Sequence, residues 1–505
     1  MATRRVPAPT SGAIFTARPP AVRRRPRSLV DVTLDRSQKS AVERPAGESL
    51  LVLGEAGHGK TTVAMHRLAY LWGRSPVALR VAAVVPAEGL ARLLQPLFRR
   101  LGVDVEVVTY DAWAAGQARR AFRRLPPESD STPPAVAALK RHPALRVAIE
   151  HRAASAPGRI DDAADAPVWP RVGNVTRGDL QHLFGDRALL ERVAAAGPLP
   201  ARAVLDTLDR TRIQFSPTAE QEWADVVDRA RLVAVDHRAL DAGTASGAAR
   251  TVDVEDYAVL FALDALRAAR TGRRPASRRT YDVLFIDEAQ ELAPLELALL
   301  GQSLEPGGTL IVAGDAQQQT DDTTAFVGWS SAMRELGCRV YETVELEIGY
   351  RCPPDVAALA RAIRAGEQAG PRTPTSTVRV FDDERSLDDW LARGLRDLGR
   401  RDPRASVAIV CRSPLVARRR AAGMLARELP ARLVFDGRFV PRGVQVSTVD
   451  EVKGLEFDFV VVADAGARDY PGDPASRRAL YAAVTRARHG LALATAGPPS
   501  PILAP

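Results

Sequence analysis

The feature that most constrains this chain is a short apolar run that breaks into a glycine loop. Ser49-Leu-Leu-Val-Leu53 reads as a buried parallel strand, and Gly54-Glu55-Ala56-Gly57-His58-Gly59-Lys60-Thr61-Thr62 as the loop. From Thr61 to Trp72 apolar residues recur at helical spacing. Strand, glycine loop and helix in that order form a nucleotide-binding βα unit. The glycines let backbone N–H groups close around phosphate at a helix N-terminus, where unpaired donors favour negative charge. In such a loop Lys60 supplies a point charge to the β- and γ-phosphates and Thr61 an oxygen to Mg²⁺.

The alternation continues. Strand-like runs stand at Val81–Val85 and Val103–Val108, with an amphipathic helix from Leu90 to Leu101 between them, which predicts a parallel sheet covered by helices. From Ala112 to about Arg250 the pattern changes to helical Ala/Leu/Arg segments broken by prolines, read as a mostly helical insertion. Strands resume at Val283–Ile286 and Leu310–Ala313. A final block holds runs near Thr377–Phe381, Val407–Val410, Val444–Thr448 and Phe459–Val462, and ends in a helix over Arg477–Arg488. No internal repeat of fixed period is present.

A chain of 505 residues exceeds one ordinary core, and 46% hydrophobic residues suit a globular protein. Lys+Arg (70) exceeds Asp+Glu (61), a net charge of +9 that is compatible with a polyanion partner. Part of that excess lies in a basic, proline-rich N-terminal arm that includes Arg23-Arg24-Arg25-Pro26-Arg27 and reads as disordered. Only Lys39, Lys60, Lys140 and Lys453 are lysines, so each stands out against the arginines. Cys338, Cys352 and Cys411 form no CxxC pair, which argues against zinc or a disulfide framework and for a reducing, cytoplasmic setting. No apolar run is long enough to span a membrane, and the N-terminus lacks the apolar core of a signal peptide.

Two further motifs follow strands. Asp287-Glu288-Ala289-Gln290 is presented at the C-terminal edge of a parallel sheet, where such folds bind ligands. Asp287 can hold the Mg²⁺ shell, and Glu288 can take a proton from an attacking water. Gly314-Asp315-Ala316-Gln317-Gln318 follows the next strand, where a glutamine can reach the γ-phosphate.

In order and spacing these motifs resemble superfamily 1 helicases of the UvrD/Rep type. Leu34-Asp-Arg-Ser-Gln38 resembles the adenine-reading Q motif. The glycine loop, Asp287–Gln290 and Gly314–Gln318 resemble motifs I, II and III. Tyr350-Arg351 resembles motif IV, Lys453-Gly-Leu-Glu456-Phe-Asp458 motif V, and Tyr481-Ala-Ala-Val-Thr485-Arg486-Ala-Arg488 motif VI. The resemblance implies an α/β fold of two RecA-like P-loop NTPase domains, parallel sheets flanked by helices, with the helical insertion in the first and ATP in the cleft between them. The expected limits are an arm over 1–30, a first domain over 31–111 and 251–335, an insertion over 112–250, a second domain over 336–496 and a tail over 497–505. Residue by residue, the resemblance implies Gln38 and Tyr350 at adenine, Glu456 near the ribose, and Gln318 at the γ-phosphate. It makes Arg351 and Arg486 arginine fingers, ATP and Mg²⁺ the cofactors, and single-stranded or tailed DNA the partner.

The pattern also departs from that family. Family members follow motif III with aromatics that stack on bases, each worth about 1–3 kcal/mol. Here the continuation is Gln319-Thr-Asp-Asp-Thr-Thr-Ala-Phe326. Asp450 stands where motif V usually has a histidine, Pro86-Ala-Glu88-Gly89 differs from the usual motif Ia, and the segment from Arg351 to Thr448 is too short for the large accessory domain. Gly59-Lys-Thr-Thr-Val-Ala-Met-His66-Arg67-Leu-Ala-Tyr70, Val254-Glu-Asp256 and Trp329 resemble HelD, a helicase-like ATPase that frees RNA polymerase from nucleic acid. That branch carries a coiled-coil arm ahead of its Q motif, so membership would mean that the arm is lost. RNA polymerase is therefore the alternative partner.

Overall fold

The computed structural model describes residues 33–503, apart from 56, 123, 130, 155–174, 217–247, 325, 348–351, 367–377 and 435–441. The expected basic arm, Ala56, Tyr350 and Arg351 lie outside the described residues.

Among the described residues, twelve strands form two parallel sheets. The first contains β1 (Leu50–Gly54), β2 (Val81–Val85), β3 (Glu106–Thr109), β4 (Tyr281–Ile286), β5 (Leu304–Gly314) and β6 (Glu342–Leu346), in the order β3-β2-β4-β5-β1-β6. The second contains β7 (Val378–Phe381), β8 (Ser406–Cys411), β9 (Ala431–Leu433), β10 (Gly443–Thr448), β11 (Phe457–Val462) and β12 (Ala487–Ala496), in the order β7-β12-β11-β8-β10-β9. Every strand pairing is parallel.

The apolar runs are continuous because these strands are buried on both faces. In the first sheet Val52, Ala83, Val85, Phe285 and Ile311 enter one core, with Val63 and Leu68 of helix Lys60–Arg74 and Leu94 and Phe98 of helix Glu88–Arg100. Their neighbours Leu51, Ala82, Val84, Leu284 and Val312 enter the opposite core, under helices Tyr110–Ala121, Glu255–Thr271 and Pro294–Gly301. The first of these cores runs on into the second sheet through Val410, Val460, Val462 and Leu480, so apolar packing is continuous between the lobes. The outer face of the second sheet is covered by helices Glu384–Arg401 and Pro414–Leu425.

Several expected limits shift. Strand β6 pairs with β1 (Leu50 opposite Glu342), so the first lobe extends beyond 335. The expected limit at 111/112 falls inside helix Tyr110–Ala121, which packs on β2 and β3. The final helix is Pro474–Val484, capped by Asp473, whose carboxylate accepts from Ser476 N at 2.8 Å. It does not reach Arg488, because from Ala487 the chain has already entered β12 between β11 and β7. Residues 497–503, expected as a tail, dock instead: Ile502 and Leu503 are buried, and Ser500 Oγ donates to Tyr470 O at 2.7 Å.

The insertion is helical where described: Pro134–Lys140, Pro143–Ala154, Arg177–Phe184, Arg187–Ala195 and Ala203–Phe215. No helix among the described residues is long and apolar enough to cross a membrane.

Candidate active site

Strand β1 delivers Gly54 to the sheet edge, and helix Lys60–Arg74 starts six residues later. Gly57 (φ 82°) and Gly59 (φ 88°) hold the left-handed conformation that a side chain disfavours. A Cβ on Gly59 would also lie 2.8 Å from Gln38 Nε2. Gln38 is buried, donates to His58 O at 3.2 Å and accepts from Asp35 N at 3.2 Å, while Asp35 caps its helix through Gln38 N at 2.8 Å. The Q-motif helix is thus fastened to the loop. His58 Nδ1 meets Leu346 O of β6, and Glu55 pairs with Arg364. Lys60 Nζ donates to Gly54 O at 2.7 Å and Glu55 O at 3.3 Å, which places its charge inside the loop; Thr62 is buried behind it.

Strand β4 ends in the acidic pair. Thr61 Oγ1 donates to Asp287 Oδ2 at 2.8 Å, so the first helical turn and the end of β4 share one polar point. Burial and the neighbouring Glu288 push the Asp287 carboxyl up to about 7, against the opposing pull of the Thr61 bond and Lys60. Glu288 adopts φ 51°, a conformation costly for a residue with a Cβ, and such strain clusters at functional sites. Gln290 donates to Glu288 Oε2 at 2.6 Å and accepts from Asp315 N at 3.1 Å. One buried amide thereby fixes Glu288 and joins the ends of β4 and β5. Gly314 makes this possible, since a Cβ there would collide with Gln290 Oε1 and the Trp329 ring. The bridging of Gln290 and the packing of Trp329 on Gly314 were not legible in the motifs, because both depend on how β4 and β5 lie side by side.

The second lobe reaches the same point. Gln318 Nε2 donates to Asp315 Oδ2 at 2.7 Å, and its Oε1 accepts from Arg486 Nη2 at 2.6 Å. Arg486 is 6% exposed and also donates through Nε to Ala482 O at 2.9 Å. The structure therefore brings together Gln38, Lys60, Thr61, Asp287, Glu288, Gln318 and Arg486. Glu456 stands before β11, with a carboxylate oxygen 3.8 Å from Arg488 Nε.

Further lobe-to-lobe contacts use the residues that depart from the family pattern. Lys453 lies 3.2 Å from Glu291 and 2.9 Å from Asp450; burial pulls its ammonium pKa down, but those carboxylates outweigh it and hold the pKa above the usual lysine range. Thr320 donates to Asp450 at 3.1 Å, and Arg478 pairs with Asp322 at 3.0 Å.

Two family models match the chain: an AAA domain over residues 38–323, more than half its length, and a UvrD-like helicase C-terminal domain over 443–494. The AAA match, which spans strands of the first sheet, agrees with a RecA-like P-loop fold there. Comparison with curated proteins gives no match. Among solved structures, the C-terminal domain of a possible DNA helicase from Lactobacillus plantarum WCFS1 is 26% identical, with 31% of this chain and 93% of that chain covered and a TM-score of 0.27. With the AAA model over the loop lobe and the UvrD-like model over the lobe that carries Arg486, the chain belongs to the UvrD/Rep-type superfamily 1 helicase family.

Proposed function

We propose that this chain hydrolyses ATP between its two lobes and uses the cycle to move along DNA. The observation that carries the reading is the 2.6 Å bond from Arg486 to Gln318, which sets a second-lobe guanidinium at the end of β5, beside the loop lobe's carboxylates. In this reading loop N–H groups from Gly54 to Thr62 and Lys60 bind the phosphates, and Gln38 faces adenine. Thr61 and Asp287 suit Mg²⁺, since a hydroxyl and a carboxylate already converge at 2.8 Å. That ion would neutralise phosphate charge. Glu288, aimed by Gln290, accepts the proton of the attacking water, while Arg486 and Gln318 offset charge developing on the transferred phosphoryl group. Tyr350 and Arg351 belong to the same proposal by resemblance, as does Glu456 at the ribose. Because Arg486 and Lys60 sit on different lobes, binding favours closure and hydrolysis permits reopening.

A second reading, remodelling of a protein–nucleic-acid complex such as one containing RNA polymerase, is favoured by Asp321 and Asp322. They occupy the stretch after motif III and are tied to Arg141 and Arg478, where base-stacking aromatics would be needed to hold a strand. ATP hydrolysis with and without single-stranded DNA separates the two. Strong stimulation supports the translocase; an unstimulated rate with co-purification of RNA polymerase supports the remodeller. Lys60→Ala abolishes turnover in both, and a variant that hydrolyses at the normal rate overturns the site itself.

A further inference from the structure

Arg486 is not alone in crossing from the second lobe to the candidate site. Where Arg486 reaches the end of β5 through Gln318, Arg364 reaches the end of β1. Arg364 lies in the last turn of helix Pro354–Ala365, which buries Val356, Leu359 and Ile363 and packs on helix Pro474–Val484 and β12. Its Nη1 donates to the carboxylate of Glu55, the second residue of the phosphate loop. The Glu55 carbonyl oxygen lies 3.3 Å from Lys60 Nζ, the charge that the loop offers to phosphate. Glu55 therefore carries a carboxylate beside the place where phosphate is to be held. Partial burial works against the Arg364 charge, but the Glu55 bond outweighs it and raises the guanidinium pKa, with Tyr481 and Asp315 adding to the effect. Arg364 and Arg486 both act on the buried Tyr481, which puts the two guanidiniums in one neighbourhood.

An acid in a loop built for phosphate repels the ligand unless its charge is offset. Arg364 supplies that offset, yet the pair is loosely held. Its side chains are 33% and 41% exposed, so water screens the attraction and ordering two long side chains costs entropy. A terminal phosphate is a strong competitor for the same guanidinium. It carries more charge than a carboxylate, and its oxygens fit the planar fork in bidentate fashion. A nucleoside diphosphate ends one phosphate short and lacks that group.

We propose that Glu55 and the terminal phosphate of a bound nucleoside triphosphate compete for Arg364, which makes Arg364 a residue that discriminates triphosphate from diphosphate. This competition rests on the hydrolytic reading and adds to the site a cation that none of the motifs contains. A merely structural link between the lobes would behave differently, since loss of either partner would then have the same effect. Competition gives the two losses opposite signs.

The test measures equilibrium binding of a fluorescent, non-hydrolysable adenosine triphosphate analogue and of the matching diphosphate to the full chain with Mg²⁺. Arg364→Gln should weaken the triphosphate about tenfold and leave the diphosphate nearly unchanged. Glu55→Gln should tighten the triphosphate about two- to fivefold, and that gain should shrink when Arg364→Gln is also present. Arg364→Lys, which keeps the charge without the planar fork, should bind the triphosphate with an affinity between those of the parent and Arg364→Gln. Shifts of the same sign in Arg364→Gln and Glu55→Gln overturn the proposal, as does a loss in Arg364→Gln that the diphosphate shares equally. A parent chain that binds neither nucleotide overturns the hydrolytic reading itself, so the two failures are told apart.

Discussion

Glu288 combines a left-handed backbone with a side chain fixed by a buried amide. If it is the base that takes the water proton, Glu288→Gln keeps shape and removes basicity. Turnover should then fall by about 10²–10⁴-fold with nucleotide affinity nearly unchanged, checked by single-turnover hydrolysis beside binding of a fluorescent nucleotide. Glu255 supports a prediction of another kind. Burial raises its carboxyl from 4.5 to about 7, so the folded chain keeps a proton that the unfolded chain releases. Stability from this group is complete below pH 4.5 and is lost as pH rises through about 7. Glu255→Gln should therefore melt like the parent in mild acid and a few degrees higher at pH 8, as followed by circular dichroism. The scarcity of lysine was a useful signal at this scale, but it carried two meanings. Lys60 lies in the phosphate loop, while Lys140 is a buried structural cation that no local pattern announced.

That lysine matters for how elements are joined. It ends helix Pro134–Lys140 and lies 2.8 Å from Asp253 and 2.6 Å from Asp256, at the start of helix Glu255–Thr271, and Arg210 of helix Ala203–Phe215 completes the cluster at 2.7 Å. Removing one member leaves buried charge uncompensated. Lys140→Met should cost about 3–5 kcal/mol and loosen the insertion, seen as early denaturation in urea and fast amide exchange over 134–215, ahead of the sheets. The insertion's helices were legible because prolines and Ala/Leu spacing mark them. Their clamp was not, since Lys140 and Asp253 are 113 residues apart in sequence and Arg210 and Asp253 are 43 apart. The same physical difference separates the strands. Those buried on both faces, such as β2 and β8, read as apolar runs. Strand β6, Glu-Thr-Val-Glu-Leu at a sheet edge, has little buried surface and gave no such run. Strand β12 begins with Ala-Arg-His-Gly, which extended the apparent helix past its true end.

Across the whole molecule, the lobes share apolar packing and several polar contacts, and among the latter Arg486 is a buried cation at the candidate site. Its Nη2 reaches Gln318, and Gln318 in turn holds Asp315, whose backbone N–H is bonded to the amide that orients Glu288. The motifs alone placed Arg486 and Gln318 at one site by family resemblance, but not in contact with each other. Direct contact means that they should act as a unit. Arg486→Ala should lower turnover by about 10²–10³-fold with nucleotide binding largely retained, because the loop that grips phosphate lies on the other lobe. Gln318→Ala should lower it less, since the guanidinium keeps its bonds to Ala482 O and Thr485 Oγ1. The double variant should be no slower than Arg486→Ala, a non-additive cycle that identifies coupled groups. Losses that multiply would instead mean that the two side chains work independently, and the path from the second lobe to Glu288 would have to run through another contact.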